Sequence, residues 1–320
     1  MTWFDAEIDG SIMAVRAIHF AATATTAGAL VFHAVVADPA LRCQHDARAL
    51  IESQIRKLAW IGLIVAIASG IAWVVLLTMS LSGEGFVDAI TSGALRDVLM
   101  LTQFGTVAQV RLALAIALGI CLALDRFALA RWLALGAALC LTASIAWTGH
   151  AASTPQELGY LHLAADALHL FGASAWIGGL LPLALLLHWG RRFHASAWAK
   201  LELGVVKRFS SLGIASVAAL IVSGIFNAWI LVGSFRALLL TPYGWLLMVK
   251  LALFAMMLGF AAVNRFWLTG ELALAPGSEA HGAALASIAR NTRIEIALGL
   301  VVFAIVGVLG TLHPAAHLVE

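Results

Sequence analysis

Eight apolar runs recur along this chain, at 11–37, 55–80, 103–125, 130–149, 161–188, 205–232, 242–264 and 291–313. Each is about as long as an α-helix needs to cross an apolar bilayer core of about 30 Å. That repetition leaves one fold class, an all-α integral membrane protein with eight transmembrane helices. Composition agrees, since 62% of the 320 residues are hydrophobic and 11% are charged, against about 25% charged in soluble domains. Too little sequence lies between the runs for a soluble domain of useful size.

Basic residues set the expected orientation. Arg42, Arg48, Arg56 and Lys57 follow span 1, and Arg126 and Arg131 follow span 3. Arg191, Arg192, Lys200, Lys207 and Arg208 follow span 5, and Arg265, Arg290 and Arg293 follow span 7. The loops on the other side carry only Arg96 and Arg236. Both termini are therefore expected outside the cytoplasm, in the periplasm of a Gram-negative host. The acidic start lacks the basic region of a secretory leader, so no cleaved leader is expected. Cys43, Cys121 and Cys140 have no paired spacing and predict neither a disulfide framework nor a thiolate metal site. The loop at 81–102 is long enough for an interfacial helix. Segment 270–289, with Pro276, Gly277 and Ser278, reads as a cytoplasmic linker.

An approximate internal repeat runs through the spans. Arg16, His19 and Gly28 in span 1 match Asp166, His169 and Gly178 in span 5 at a constant offset of 150. Ser69-Gly70 matches Ser223-Gly224. Arg111-Leu-Ala-Leu matches Lys250-Leu-Ala-Leu, and Asp125-Arg126 matches Asn264-Arg265. Gly149-His150 after span 4 matches Leu312-His313 after span 8. Two parallel-repeat four-helix units are expected, 1–155 and 156–320, sharing one orientation because four spans is an even number.

The repeat places ionisable residues in the outer half of the bundle. His162, Asp166, His169 and Trp176 share one face of span 5. His19 and His169 lie about eight residues, or roughly 12 Å, into their spans. Arg111 and Lys250 lie at similar depth. His150, His313 and His317 follow spans 4 and 8, and His162 opens span 5. Ionisable groups in a bilayer are costly unless they face protein, water or a partner. Imidazole ligates copper and other first-row metals, and thioether favours Cu(I). Met13, Met79 and Met100 are expected near the same face. Arg111 and Lys250 either snorkel to headgroups, pair with Asp166, hold an anion such as a haem propionate, or gate. His45, His194 and His281 read as loop residues, and His33 and His188 as interfacial ones. The inner half shows little comparable, with His33 and His188 near the cytoplasmic ends. Asn264-Arg265 and Asp125-Arg126 read as helix-end caps. The glycines read as close helix contacts, and most tryptophans as interface anchors.

At these residues the chain resembles the copper resistance protein D (CopD) family of bacterial inner-membrane proteins. The resemblance rests on His169-Leu-Phe-Gly-Ala-Ser-Ala-Trp176-Ile-Gly-Gly179-Leu, Gly149-His150-Ala, Ser223-Gly224-Ile and Asn264-Arg265. It implies copper movement across the inner membrane, alongside a separate periplasmic copper-binding partner of CopC type. The four-span unit is also similar, more distantly, to HemJ-type protoporphyrinogen oxidase, which implies haem b on a first-helix histidine.

Three functions follow. The first is copper transport, with His150, His313 and His317 receiving the ion, His162 and Asp166 beside them, and His19 and His169 binding it between the halves. Arg111, Lys250 and Trp176 would shape that site. The second is a haem-dependent oxidoreductase acting on Cu(II) or a tetrapyrrole. The third is a structural membrane partner. No Gly-x-x-x-x-Gly-Lys loop and no Asp-Lys-Thr-Gly signature is present, so nucleotide-driven transport is not expected. No basic-aromatic interleaving points to nucleic acid.

Overall fold

The computed structural model describes residues 7–42, 45–190, 196–274 and 278–317. All eight expected spans are helices: Gly10–Ala40, Arg48–Ser82, Gln103–Ala123, Ala128–Thr148, Glu157–Trp189, Trp198–Val232, Pro242–Ala273 and Glu279–Leu309. They are numbered 1 to 8 in chain order. Several run past their apolar cores, because the flanking Ala, Leu, Lys, Arg and Glu residues are also good helix formers. Large apolar side chains cover the outside of the bundle, among them Ile61, Ile64 and Ile71 on span 2 and Leu112, Ile116 and Ile120 on span 3. Leu251 and Met256 continue that surface on span 7. Such a belt suits acyl chains rather than water. The chain is a multi-pass membrane protein.

Spans 1 and 5 meet at the centre. A methyl group on Gly178 would lie 2.8 Å from the Ala24 carbonyl carbon and 3.1 Å from the Gly28 Cα. One on Gly28 would lie 2.6 Å from the Gly178 Cα. Both positions need glycine, because the two backbones touch there. Span 5 crosses at a π-bulge, Ser174–Gly178, and two further bulges lie at His33–Ala37 and Asn264–Leu268. Span 2 packs along span 1 and span 6 along span 5. A Cβ on Gly62 would lie 3.1 Å from the Ala22 carbonyl oxygen, and one on Gly172 3.0 Å from that of Ser216. Span 8 fits against both span 1 and span 7.

Two connections differ in interest. Residues 81–102 hold two short helices, Phe86–Thr91 and Ala94–Leu101. Span 3 then starts on a cap: the Thr102 hydroxyl accepts from the Gly105 N–H at 2.9 Å. Thr241 caps span 7 in the same way, accepting from Gly244 N–H at 3.0 Å. The linker expected at 270–289 is largely helical instead. Thr269–Leu274 continues span 7, and Ser278 caps a helix starting at Glu279. His281, Ala284, Leu285 and Ile288 form a buried stripe at helical spacing, which the Pro-Gly-Ser signal concealed.

Replacing Gly178 by Ala is expected to lower the thermal unfolding midpoint in detergent, since overpacking costs about 1–3 kcal/mol. Gly136→Ala, where no atom lies within 4 Å of the added methyl, should leave it unchanged. Equal midpoints for the two variants would contradict the close crossing.

Candidate functional site

Mid-helix serines orient both central histidines. The Ser69 hydroxyl donates to the Val65 carbonyl at 2.6 Å, one turn back on span 2. Its only proton is thereby used, so at 3.0 Å from His19 Nδ1 it accepts. His19 is therefore the neutral Nδ1–H tautomer, and its Nε2 carries the lone pair. The second half repeats the arrangement. Ser223 donates to the Ala219 carbonyl at 2.5 Å and accepts from His169 Nδ1–H at 3.1 Å. The glycines beside the serines make room for the rings. A Cβ on Gly70 would lie 3.2 Å from His19 Cε1, and one on Gly224 3.5 Å from His169 Cε1. These glycines serve the imidazoles rather than a backbone crossing.

The two lone pairs meet different neighbours. His19 Nε2 accepts from the Arg111 guanidinium. Arg111 also donates to Ser144 Oγ at 2.7 Å and to the Leu141 carbonyl at 3.2 Å. It is buried and does not snorkel. Arg16 lies nearby, its guanidinium 4.9 Å above Trp73, whose ring stands edge-on to His19 at 5.7 Å. Neither arginine has a carboxylate within 4 Å among the described residues. The first half thus carries two buried positive charges around its imidazole. A cavity of about 290 Å³ opens beside it, lined mainly by apolar side chains including Trp73, Phe104 and Leu112.

In the second half no protein group hydrogen-bonds His169 Nε2 among the described residues. Asp166 stands where the first half has Arg16, and accepts from Asn227 Nδ2 at 3.3 Å. Lys250 interacts electrostatically with both Asp166 and His169. A carboxylate thus accompanies the imidazole here.

Above His169, His162 is fully buried, with Nδ1 2.8 Å from Thr154 Oγ1. It lies within electrostatic reach of His150. The His150 ring stands 6.2 Å from Tyr243, with Nε2 3.3 Å from the Leu309 carbonyl. His313 is exposed. The His317 side chain lies outside the described residues, as do those of His45 and His194. Trp176 is buried and stacks edge-on to Phe254 at 5.8 Å. Among the described residues, no group of three or more His, Cys, Asp and Glu side chains is arranged to hold a metal ion.

Three expectations need correction. The half of the bundle near the 190–197 and 274–278 connections does hold buried ionisable groups: Glu202, His281 and Glu295. His281 is no loop residue, since its Nε2 lies 3.1 Å from Glu202 Oε2 and its Nδ1 3.1 Å from the Leu272 carbonyl. Asn264 caps no helix end. It opens a π-bulge inside span 7, donates to Glu295 Oε1 at 3.0 Å and accepts from Asn291 Nδ2 at 2.8 Å. These contacts join distant segments, so only the polar residues inside an extended helical stripe could have signalled them. Asp125, at the end of span 3, pairs with Arg56.

The architecture and the paired imidazoles define a polytopic membrane protein with buried, serine-oriented histidines. Comparison with known proteins adds the family. A family description named Copper resistance protein D matches residues 203–309, and one named Copper resistance protein D-like, N-terminal domain matches residues 7–160. Copper resistance protein D of Pseudomonas syringae pv. tomato is 29% identical over 263 residues, covering 80% of this chain and 82% of that protein. Inner membrane protein YebZ of Escherichia coli (strain K12) is 31% identical over 170 residues, 53% of this chain and 55% of YebZ. Copper transport protein CutJ of Bacillus subtilis (strain 168) is 31% identical over 195 residues, 58% of this chain but 35% of CutJ. No solved structure matches. The chain belongs to the copper resistance protein D family and is a copper-related membrane protein.

Arg111→Ala would leave His19 Nε2 and Ser144 without their shared donor. A loss of about 1–3 kcal/mol in stability is expected, read as a lower thermal midpoint in detergent. A midpoint equal to that of the parent protein would contradict the buried hydrogen-bond role.

Proposed function

We propose that this protein passes copper across the bacterial inner membrane, with the ion meeting His169 and Asp166 in the second half. The observation that carries this reading is the Ser223–His169 hydrogen bond. It commits Nδ1–H to serine and leaves Nε2 as a lone-pair donor one helical turn from Asp166, with Lys250 acting on both. Metal-ligating histidines are typically oriented through their other ring nitrogen in this way. The first half is the poorer cation site, because Arg111 occupies His19 Nε2 and Arg16 adds a second charge. Copper is thus assigned to His169 rather than to a bridge between His19 and His169.

His162, Asp166 and His169 stand at successive turns of one helix, about 10 Å from first to last. His150, beside His162, would receive the ion together with the exposed His313; His317 follows them in sequence. A separate periplasmic copper-binding partner of CopC type would deliver it, with both termini periplasmic. Two protein donors make a low-coordination site, which suits passage, since conduction needs binding weak enough to release. Lys250 balances Asp166 in the metal-free protein. Trp176 and Phe254 close the route below.

We read the halves 1–155 and 156–320 as copies of one four-helix unit. The support is the matched serine–histidine bonds, threonine caps and glycine crossings. The haem b reading gains less support. At His19 the nitrogen that an iron would need is already bonded to Arg111.

His169→Ala is expected to lower copper accumulation in cells at matched protein level, and Ser223→Ala to weaken copper binding by about 10–100-fold. His19→Ala should have the smaller effect. Accumulation unchanged in His169→Ala would overturn the assignment.

A further inference from the structure

Glu295 has no role in the copper route described above, yet it is a buried ionisable group of the central bundle. It is 2% exposed, on the inward stripe of span 8. Span 7 contributes Asn264, whose amide donates to Oε1 at 3.0 Å. Asn291, one turn back on span 8, fixes that amide by donating to Asn264 Oδ1 at 2.8 Å. Span 5 contributes the Trp176 indole. Every one of these neighbours is neutral.

The nearby cations face elsewhere. Arg265 follows Asn264 but is exposed and donates to Ser210 at 2.7 Å. Arg290 and Arg293 on span 8 are exposed, and Arg293 donates to the Ala289 carbonyl at 3.2 Å. Where span 1 packs on span 8, Arg16 lies at Gly310, about four turns further along the helix. No Lys, Arg, His, Asp or Glu among the described residues forms an ion pair with Glu295. Glu202, the other buried carboxyl of spans 6 to 8, makes the contrast, because it has His281 against it at 3.1 Å.

An unpaired carboxylate at this depth lacks the opposite charge that buried ions need. Neutral amide and indole donors orient it but do not supply that charge. Two oxygen-bearing amides and one carboxyl are also hard donors, poorly matched to Cu(I). The local backbone is specialised as well. Asn264 opens one π-bulge and Trp176 lies within another, and such bulges are frequent at functional sites.

We propose that Glu295 is a proton-binding site: a carboxylic acid, oriented by Asn264 and Asn291, that gives its proton to water and takes one back from water as copper crosses. The proton-binding part stands on the geometry of this cluster. The coupling to copper rests on the transport reading above. Trp176 lies between the two parts, two turns beyond His169 on span 5 and against Glu295 on span 8. Movement of that side chain would connect ion passage to the carboxyl.

Two measurements test the proposal on the full-length protein. The first is infrared spectroscopy of purified wild type and Glu295→Gln at neutral pH. Glutamine keeps the shape and the oxygen that accepts from Asn264. The difference spectrum should contain a protonated-carboxyl C=O band that shifts in heavy water. Ionised-carboxylate bands in its place would overturn the proton site. The second is copper uptake into proteoliposomes with and without an imposed pH gradient. Wild-type uptake should change several-fold with the gradient, and Glu295→Gln uptake should not respond. A gradient response retained in Glu295→Gln overturns the coupling. Wild-type vesicles that take up no copper under either condition sink the transport reading, and the infrared result still decides the proton site.

Discussion

Polar atoms inside an apolar bundle need partners within it, and at the two central histidines that demand is met by serine. Ser69 and Ser223 each bond a carbonyl one turn back on their own helix and accept an imidazole proton from the neighbouring one. Such a hydroxyl adds little to the cost of burying a helix, because its proton never leaves the span. Its free lone pair can then fix a histidine tautomer. The adjacent glycines follow from the same demand, since a side chain there would press on the ring. Two short-range choices, Ser-Gly on spans 2 and 6 and His on spans 1 and 5, therefore determine where each Nε2 points.

Charge then separates the halves. Around His19 stand Arg16 and Arg111, one stacked on Trp73 and the other bonded to the imidazole itself. Around His169 stand Asp166, Asn227 and Lys250, so negative and positive charge offset one another. A cation approaching the first site meets two uncompensated guanidiniums. One approaching the second meets an imidazole, a carboxyl and a lysine whose charge the carboxyl offsets. Similar scaffolds thus surround their imidazoles with different charge.

Much of this was legible in the chain itself. Length and hydropathy are sufficient to place eight spans, because a membrane helix must hide its own backbone. His19 and His169 stood out through their shared offset with Gly28 and Gly178. The serines stood out too, although as part of a helix-packing pair. The contacts of Arg111 did not, because they join spans 1, 3 and 4 across long sequence separations. Glu202 and His281 are hidden for another reason: spans 6 and 8 begin at Trp198 and Glu279, before their apolar runs at 205 and 291, so both residues fall in stretches that read as loop or linker. Glu295 lies inside the apolar run of span 8, where a single carboxyl carries no spacing that marks a site. Asn264 is concealed because an Asn-Arg pair at the end of an apolar run has the pattern of a cap, and nothing in composition reports a π-bulge.

X-ray absorption at the copper edge, on purified protein loaded with one equivalent of copper, tests the assignment to His169 most directly. Imidazole scattering from the metal is expected in the wild type and in His19→Ala, and its loss in His169→Ala. Imidazole scattering that survives in His169→Ala and vanishes in His19→Ala would contradict it.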